Sequence, residues 1–130
     1  MCSSIKEYYS KLISLDKPFL ISGPCVIESK DHCLFMADNI KKICDELNIE
    51  YIFKASFDKA NRTKLTNFRG LNNLEASLNV FQSIQENIGV KVCTDFHETY
   101  QAKLLGEVVD ILQIPAFLCR QTDLLVSAAK

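Results

Sequence analysis

The sequence has 130 residues, 48% of them hydrophobic, with 15 Lys plus Arg against 16 Asp plus Glu and a formal net charge of −1. That length suits one compact domain, and the apolar fraction excludes general disorder. The charge balance excludes a nucleic-acid binder that works through bulk positive charge, and no apolar run approaches the roughly 20 residues of a membrane span.

The opening residues, Met1 to Glu7, contain no apolar stretch of the kind that marks a secretory signal. Six cysteines stand at positions 2, 25, 33, 44, 93 and 119, scattered and without a CxxC pair. Reduced thiols and a cytoplasmic protein are therefore expected. Residues 1–18 read as an N-terminal extension, and residues 19–130 as an α/β domain.

In chain order, Phe19-Leu20-Ile21 reads as a first strand, stopped by Gly23-Pro24. Ser29 is placed to cap a helix whose apolar stripe is Met36, Ile40, Ile43, Cys44 and Leu47. Tyr51-Ile52-Phe53 forms a second strand. Asn72 and Asn73, with Glu75, start a second helix with the stripe Leu74, Leu78, Phe81, Ile84 and Ile88, which Gly89 ends. Val90 to Cys93 is a third strand, and Thr99 is expected to cap a short helix carrying Ala102, Leu104 and Leu105. Ile111 to Ile114 is a fourth strand, and Thr122 opens a last helix through Leu124, Leu125 and Ala128. The order is (βα)4, with parallel strands joined by helical crossovers. Periodicity alone leaves open a small doubly wound sheet or half of a (β/α)8 barrel, since whole barrels run to about 250 residues.

In parallel α/β folds, functional groups collect at the carboxyl ends of strands. Those positions hold Cys25 after the first strand and Lys54 after the second. Asp95 and His97 follow the third, Gln113 sits in the fourth, and Arg120 lies just beyond it. Residues 54–70 carry five basic side chains (Lys54, Lys59, Arg62, Lys64, Arg69) against Asp58, a net +4, so the rest of the chain carries −5. A basic loop at a strand end suits a phosphorylated small molecule, Arg offering a planar fork and Lys a point charge. A solvated basic loop with no ligand is the plainer alternative. Asn61-Arg62 offers an amide and a guanidinium side by side. Cys25 lies on the loop side, where a thiolate can bind metal, whereas Cys33, Cys44 and Cys93 read as small buried apolar residues. His32, beside Asp31 at a helix start, reads as a surface residue. No GxGxxG, GxxxxGK[ST] or GxSxG is present, so dinucleotide, P-loop and α/β-hydrolase readings lose support.

Three long strings carry a resemblance. Phe53-Lys54-Ala55-Ser56-Phe57-Asp58-Lys59-Ala60-Asn61-Arg62, Thr94-Asp95-Phe96-His97-Glu98, and Gln113 through Leu124 resemble the KDO 8-phosphate synthase family. Gly23-Pro24-Cys25-Val26-Ile27-Glu28 resembles the first-strand motif that this family shares with DAHP synthases, which lack the FDKANR string. The resemblance runs from about residue 19 to Lys130. It implies an aldol-type condensation of phosphoenolpyruvate with D-arabinose 5-phosphate, giving KDO 8-phosphate and phosphate for lipopolysaccharide synthesis. By similarity, Lys54 and Lys59 hold phosphoenolpyruvate, and Asn61 and Arg62 hold the pentose phosphate. Asp95, His97 and Gln113 line the reacting centre, with Asp95, His97 and Asn61 as the catalytic set. Phe117 and Arg120 lie on a loop that reaches a neighbouring subunit in a homotetramer. Cysteine at position 25 marks the family's metal-dependent kind, which implies a divalent metal ion with Cys25 as one ligand.

The family fold is a full (β/α)8 barrel, of which residues 19–130 match the N-terminal half. The family's other metal ligands (a His, a Glu and an Asp) and a further Lys and Arg for phosphoenolpyruvate belong to the other half. The 130 residues alone are therefore expected to be inactive, and to need that complementary half or self-association. After Arg62 the family usually runs Ser-Ser-x-His, where this sequence has Thr63-Lys64-Leu65-Thr66, and its Gly-rich turn is replaced here by Leu71-Asn72-Asn73. Two other readings remain: a (βα)4 module that binds a phosphorylated ligand without catalysis, and a DAHP synthase-like condensation using erythrose 4-phosphate.

Overall fold

The computed structural model describes residues 5–130; Cys2 lies outside the described residues. Helix α1 (Ile5–Ile13) falls within the segment expected as an N-terminal extension. It is followed by β1 (Leu20–Ser22), α2 (Lys30–Glu46), β2 (Tyr51–Lys54), α3 (Leu74–Ile88), β3 (Lys91–Asp95), α4 (Thr99–Gly106), β4 (Ile111–Gln113), a 3-10 turn (Ala116–Leu118) and α5 (Thr122–Ala129). The strands lie in the order β1-β2-β3-β4, and every neighbouring pair is parallel.

Strand order and helix placement decide between the two architectures left open by the sequence. A doubly wound sheet reverses its strand order and carries helices on both faces. Here the order is sequential, and all the crossover helices pack on one face. Cys33, Ala37 and Cys44 of α2, Val80, Phe81 and Ile84 of α3, and Ala102 and Leu105 of α4 share one core with Tyr51, Phe53 and Val92 of the sheet. The fold is the (βα)4 half of a (β/α)8 barrel.

The opposite sheet face is formed by alternate residues brought side by side by the register: Ile52 opposite Lys91, Lys54 opposite Cys93, Cys93 opposite Ile111, and Asp95 opposite Gln113. Its foot is covered by α1, whose buried Tyr8 and Leu12 pack with Ile52 and Cys93. Glu50 holds α1 there, accepting from the Tyr8 hydroxyl at 3.0 Å and from Lys11 at 2.8 Å. The top of the same face carries Lys54, Asp95 and Gln113.

Burial supplies most of the stability. Phe53, Phe81 and Phe96 are fully buried, each contributing about 1.5–3 kcal/mol. The exposed helix pairs Lys41–Asp45 and Lys42–Asp38 contribute only about 0.3–0.5 kcal/mol each. At the foot of β3, Asp110 accepts from the Val92 N–H and from Gln85 Nε2, both at 2.9 Å, and pairs with Lys91 at 2.7 Å. This end of the sheet is thus tied by structural polar contacts.

Helix ends follow the sequence closely, with two differences. Ser29 and Asn73 cap α2 and α3 as expected, and Gly89 ends α3 in the left-handed conformation. Helix α4 is capped by Glu98 and not by Thr99, because the side chain of Gln101 receives the free N–H groups there. The buried stripe of α2 runs through Cys33, Ala37 and Cys44, while Ile43 and Leu47 are exposed. The apolar spacing of this helix allowed either face. Both sheet edges are open among the described residues, and Phe19, Leu20 and Ile21 of the β1 edge are about 40% exposed.

Replacing Asn73 with Ala removes the oxygen that accepts from the Ala76 N–H at 2.9 Å. It is expected to lower stability by about 1 kcal/mol, measured as a shift of the urea midpoint at unchanged slope.

Candidate functional site

The tops of β2, β3 and β4 converge on one polar cluster. Lys54 ends β2 and Asp95 ends β3, and the Asp95 backbone pairs with Gln113 of β4. Two residues past Asp95, the chain turns back so that His97 Nε2 lies 3.4 Å from Asp95 Oδ2, with both side chains 13% exposed. Phe96, fully buried between them, anchors this turn and donates its N–H to the Gln113 carbonyl at 3.2 Å. The His97 ring lies tilted at 47° against Phe57, with centroids 5.8 Å apart.

Three buried polar atoms here have no protein partner: Asp95 Oδ1, His97 Nδ1 and Ser56 Oγ. A buried polar group without a partner costs about 1–3 kcal/mol, so such a concentration marks a place where a ligand or water is received. Burial alone raises the Asp95 carboxyl, but His97, the neighbouring Ser56 hydroxyl and the charge of Lys54 outweigh it and hold the group below its ordinary value. Ser56 acts there through proximity, since its hydroxyl makes no close hydrogen bond. A carboxylate kept ionised beside an imidazole with one unpartnered nitrogen can orient the ring for proton transfer.

The first strand reaches the cluster through its following loop. Gly23 is required there, because a Cβ at that position would fall 2.2 Å from the Lys54 carbonyl oxygen. Beyond it, Ser56 donates its N–H to the Cys25 carbonyl at 3.4 Å and accepts from the Ile27 N–H at 3.0 Å. The Cys25 side chain is exposed. Cys33, Cys44 and Cys93 are buried, as expected, and burial pushes the thiols of Cys33 and Cys93 up to about 11. All five described cysteines are free. His32 is half-buried, with Nδ1 out of contact with solvent, and so is not the surface residue that the sequence suggests.

Residues 59–69 form a loop with a pinned neck. Asp58 pairs with Gly70 as an antiparallel bridge, the Lys59 N–H donates to the Arg69 carbonyl at 2.7 Å, and the Arg69 guanidinium grips Asp58 at 2.8 and 2.6 Å. Arg69 is therefore engaged within the loop, and Lys59, Arg62 and Lys64 remain as its basic groups. Lys59 is half-buried, while Asn61 and Arg62 are exposed along the loop. Phe117, in the 3-10 turn after β4, is 89% exposed, and Arg120 is exposed close by.

The structure thus brings Lys54, Asp95, His97 and Gln113 together. No hydrogen bond or ion pair joins Asn61, Arg62, Phe117 or Arg120 to them among the described residues. Nor do three His, Cys, Asp or Glu side chains converge to hold a metal ion among the described residues, so Cys25 alone does not make a metal site. A hollow of about 1190 Å³ lies along the open β4 edge and is lined by residues such as Tyr9, Ala102, Ile111 and Val126. None of the expected site residues lines it.

Two site residues escaped the sequence reading. Ser56 lay inside the recognised string but had no assigned role. Gln101 is 7% exposed and fixes the His97 turn; an acceptor three residues after the cap is the available signal, obscured here because Glu is an uncommon cap.

Residues 6–130 match the family described as the DAHP synthetase I family. Among curated relatives, the chain is 65% identical over 114 residues to a 2-dehydro-3-deoxyphosphooctonate aldolase of Cyanothece sp., covering 87% of this chain and 41% of that protein. It is 56% identical over 114 residues to a protein of the same name from Koribacter versatilis, covering 88% and 41%. Against the one from Campylobacter jejuni the figure is 55% over 116 residues, covering 89% and 42%. The chain spans about two fifths of the length of these relatives. No helix among the described residues is long and apolar enough to cross a membrane.

The lowered Asp95 group carries a pH signature. Its ionised form favours the folded state above the unfolded value of about 3.9, and that contribution is lost as pH falls through the lower folded value. Asp95→Asn is expected to be less stable than wild type at about pH 7, with the gap narrowing as pH falls below the ordinary carboxylate value. A gap independent of pH in denaturant titrations would contradict this.

Proposed function

This chain belongs to the DAHP synthetase I family, and on that premise we propose that it supplies the substrate-holding half of a synthase condensing phosphoenolpyruvate with D-arabinose 5-phosphate. The products are KDO 8-phosphate and inorganic phosphate, with one water consumed. The observation that carries the reading is the row Lys54, Asp95–His97 and Gln113 across three adjacent strand tops. The name borne by relatives at 55–65% identity supports it.

Both substrates are phosphorylated anions, and bringing them together is costly unless fixed cations share the pocket. Lys54 and Lys59 are assigned to phosphoenolpyruvate, with Asn61 and Arg62 on the pinned loop assigned to the pentose phosphate, where Arg matches phosphate oxygens with a planar fork. Holding two reactants in one geometry contributes about 7–11 kcal/mol to such a step. In the reaction the methylene carbon of phosphoenolpyruvate bonds to the aldehyde carbon of the pentose, whose oxygen gains a proton. The enol double bond is spent, the hydroxyl of the water adds to the carbon that bears the phosphate, and loss of inorganic phosphate from that carbon leaves the ketone. His97, held by Asp95 through Nε2, has Nδ1 free of protein partners, and is assigned to proton handling. Gln113 presents an amide to the reacting groups, and Phe117 and Arg120 are assigned to a neighbouring subunit's site in a homo-oligomer. Cys25 is assigned as one ligand of a divalent ion. One thiol does not hold an ion unaided, and no step here depends on it. FDKANR favours arabinose 5-phosphate over erythrose 4-phosphate as the aldose.

The test joins residues 1–130 to the remaining βα units of the Cyanothece relative and measures phosphate release. Release is expected with phosphoenolpyruvate plus arabinose 5-phosphate and not with erythrose 4-phosphate. Lys54→Ala is expected to cut kcat/KM by about 100-fold or more, and the 130 residues alone are expected to give no turnover. A soluble chimera that releases no phosphate, or that prefers erythrose 4-phosphate, would overturn the reading.

A further inference from the structure

We infer that Gln101 is the positioning residue for His97. Between the end of β3 and the first turn of α4, the backbone N–H groups of His97 and Glu98 have no strand or helix partner, and both point to one atom. Gln101 Oε1 accepts from His97 N at 2.8 Å and from Glu98 N at 3.0 Å. The Gln101 side chain is itself buried at 7% exposure, so water does not readily replace it. Its own N–H donates to the Glu98 carbonyl at 3.0 Å, locking residues 98–101 into a closed turn.

The consequence reaches the imidazole. The ring is fixed by a 3.4 Å contact to Asp95 and by a tilted face against Phe57, neither of which is a strong anchor alone. What determines where the ring meets Asp95 is the path of the backbone at residue 97, and Gln101 is the side chain that holds that N–H. Without the acceptor, two adjacent N–H groups are left unpaired in a part-buried turn, and the turn relaxes towards solvent, carrying His97 off Asp95. Gln101 touches no reacting group in this account and acts only through His97.

The inference deepens the proposed function, because the position of His97 matters to the reaction only if that reading holds. Its test uses no substrate, so the two fail independently. The sequence contains only two histidines, and His32 on α2 serves as an internal reference. The wild-type chain and the variants Q101M, Q101N and Q101E are treated with diethyl pyrocarbonate, and modification of each histidine is followed by peptide mass spectrometry. Met lacks the acceptor and Asn cannot reach, so the His97-to-His32 rate ratio is expected to rise about fivefold or more in both. Glu keeps an acceptor of the same reach at the favourable N-terminal end of a helix, and is expected to retain the wild-type ratio.

A helix cap with no bearing on His97 would lower the melting temperature and leave that ratio unmoved. An unchanged ratio in folded Q101M and Q101N overturns the inference. Should those two unfold, they are refolded in a protecting osmolyte such as trimethylamine N-oxide and compared with wild type in the same solution: a raised ratio supports the role, and an unchanged ratio overturns it.

Discussion

The parallel register of β2, β3 and β4 is the constraint on which the other features rest. Because side chains alternate across a strand, placing Lys54 opposite Cys93 and Asp95 opposite Gln113 puts one cation, one anion and one amide on the same face. A slip of one residue would bury Lys54 and Asp95 against the crossover helices and expose Phe53 and Val92. The apolar alternation that packs Tyr51, Phe53 and Val92 under the helices is therefore also what orients the polar row. Core packing and site assembly are one requirement in this sheet.

The two ends of that face are built differently. At the foot, polar groups are matched: Glu50 with Tyr8 and Lys11, and Asp110 with Gln85, Lys91 and the Val92 backbone. At the top, Asp95 Oδ1, His97 Nδ1 and Ser56 Oγ are buried without partners. Satisfied contacts stabilise, whereas unsatisfied ones cost stability and leave donors and acceptors for something else. This asymmetry is the usual division in barrel folds, where the carboxyl end of the sheet carries chemistry and the amino end carries stability. The Asp58–Arg69 clamp extends the division into the loop, spending one of its arginines on shape and leaving Lys59, Arg62 and Lys64 as its remaining basic groups.

Much of this was legible in the sequence, for reasons that differ from one feature to the next. The four strands and their crossovers followed from short apolar runs alternating with helical stripes, and Ser29, Asn73 and Gly89 marked helix ends because caps have local chemistry. Lys54, Asp95, His97 and Gln113 were visible because strand ends are where polar residues interrupt apolar runs. The buried side of α2 was legible in part: Cys44 and Ile40 of the expected stripe lie in or against the core, whereas Ile43 and Leu47 satisfy the same spacing as Cys33 and Ala37, and only packing against β2 and α3 chooses between them. Gln101 and Ser56 were missed because their roles arise from backbone N–H groups and an orphaned carboxylate oxygen, which exist only once the turn after β3 has formed. Arg69 counts in the sequence as one of the segment's basic groups, because its distance from Asp58 along the chain hides their pairing in space.

The central claim is that Lys54 and its neighbours at the strand tops receive a phosphorylated anion. Titration of phosphoenolpyruvate into the 130-residue chain, followed by the ³¹P resonance of the ligand, tests it most directly. The account predicts saturable broadening that is lost in Lys54→Met and retained in Lys42→Met, which removes a helix lysine paired with Asp38. Absence of binding, or equal binding by both variants, would contradict it.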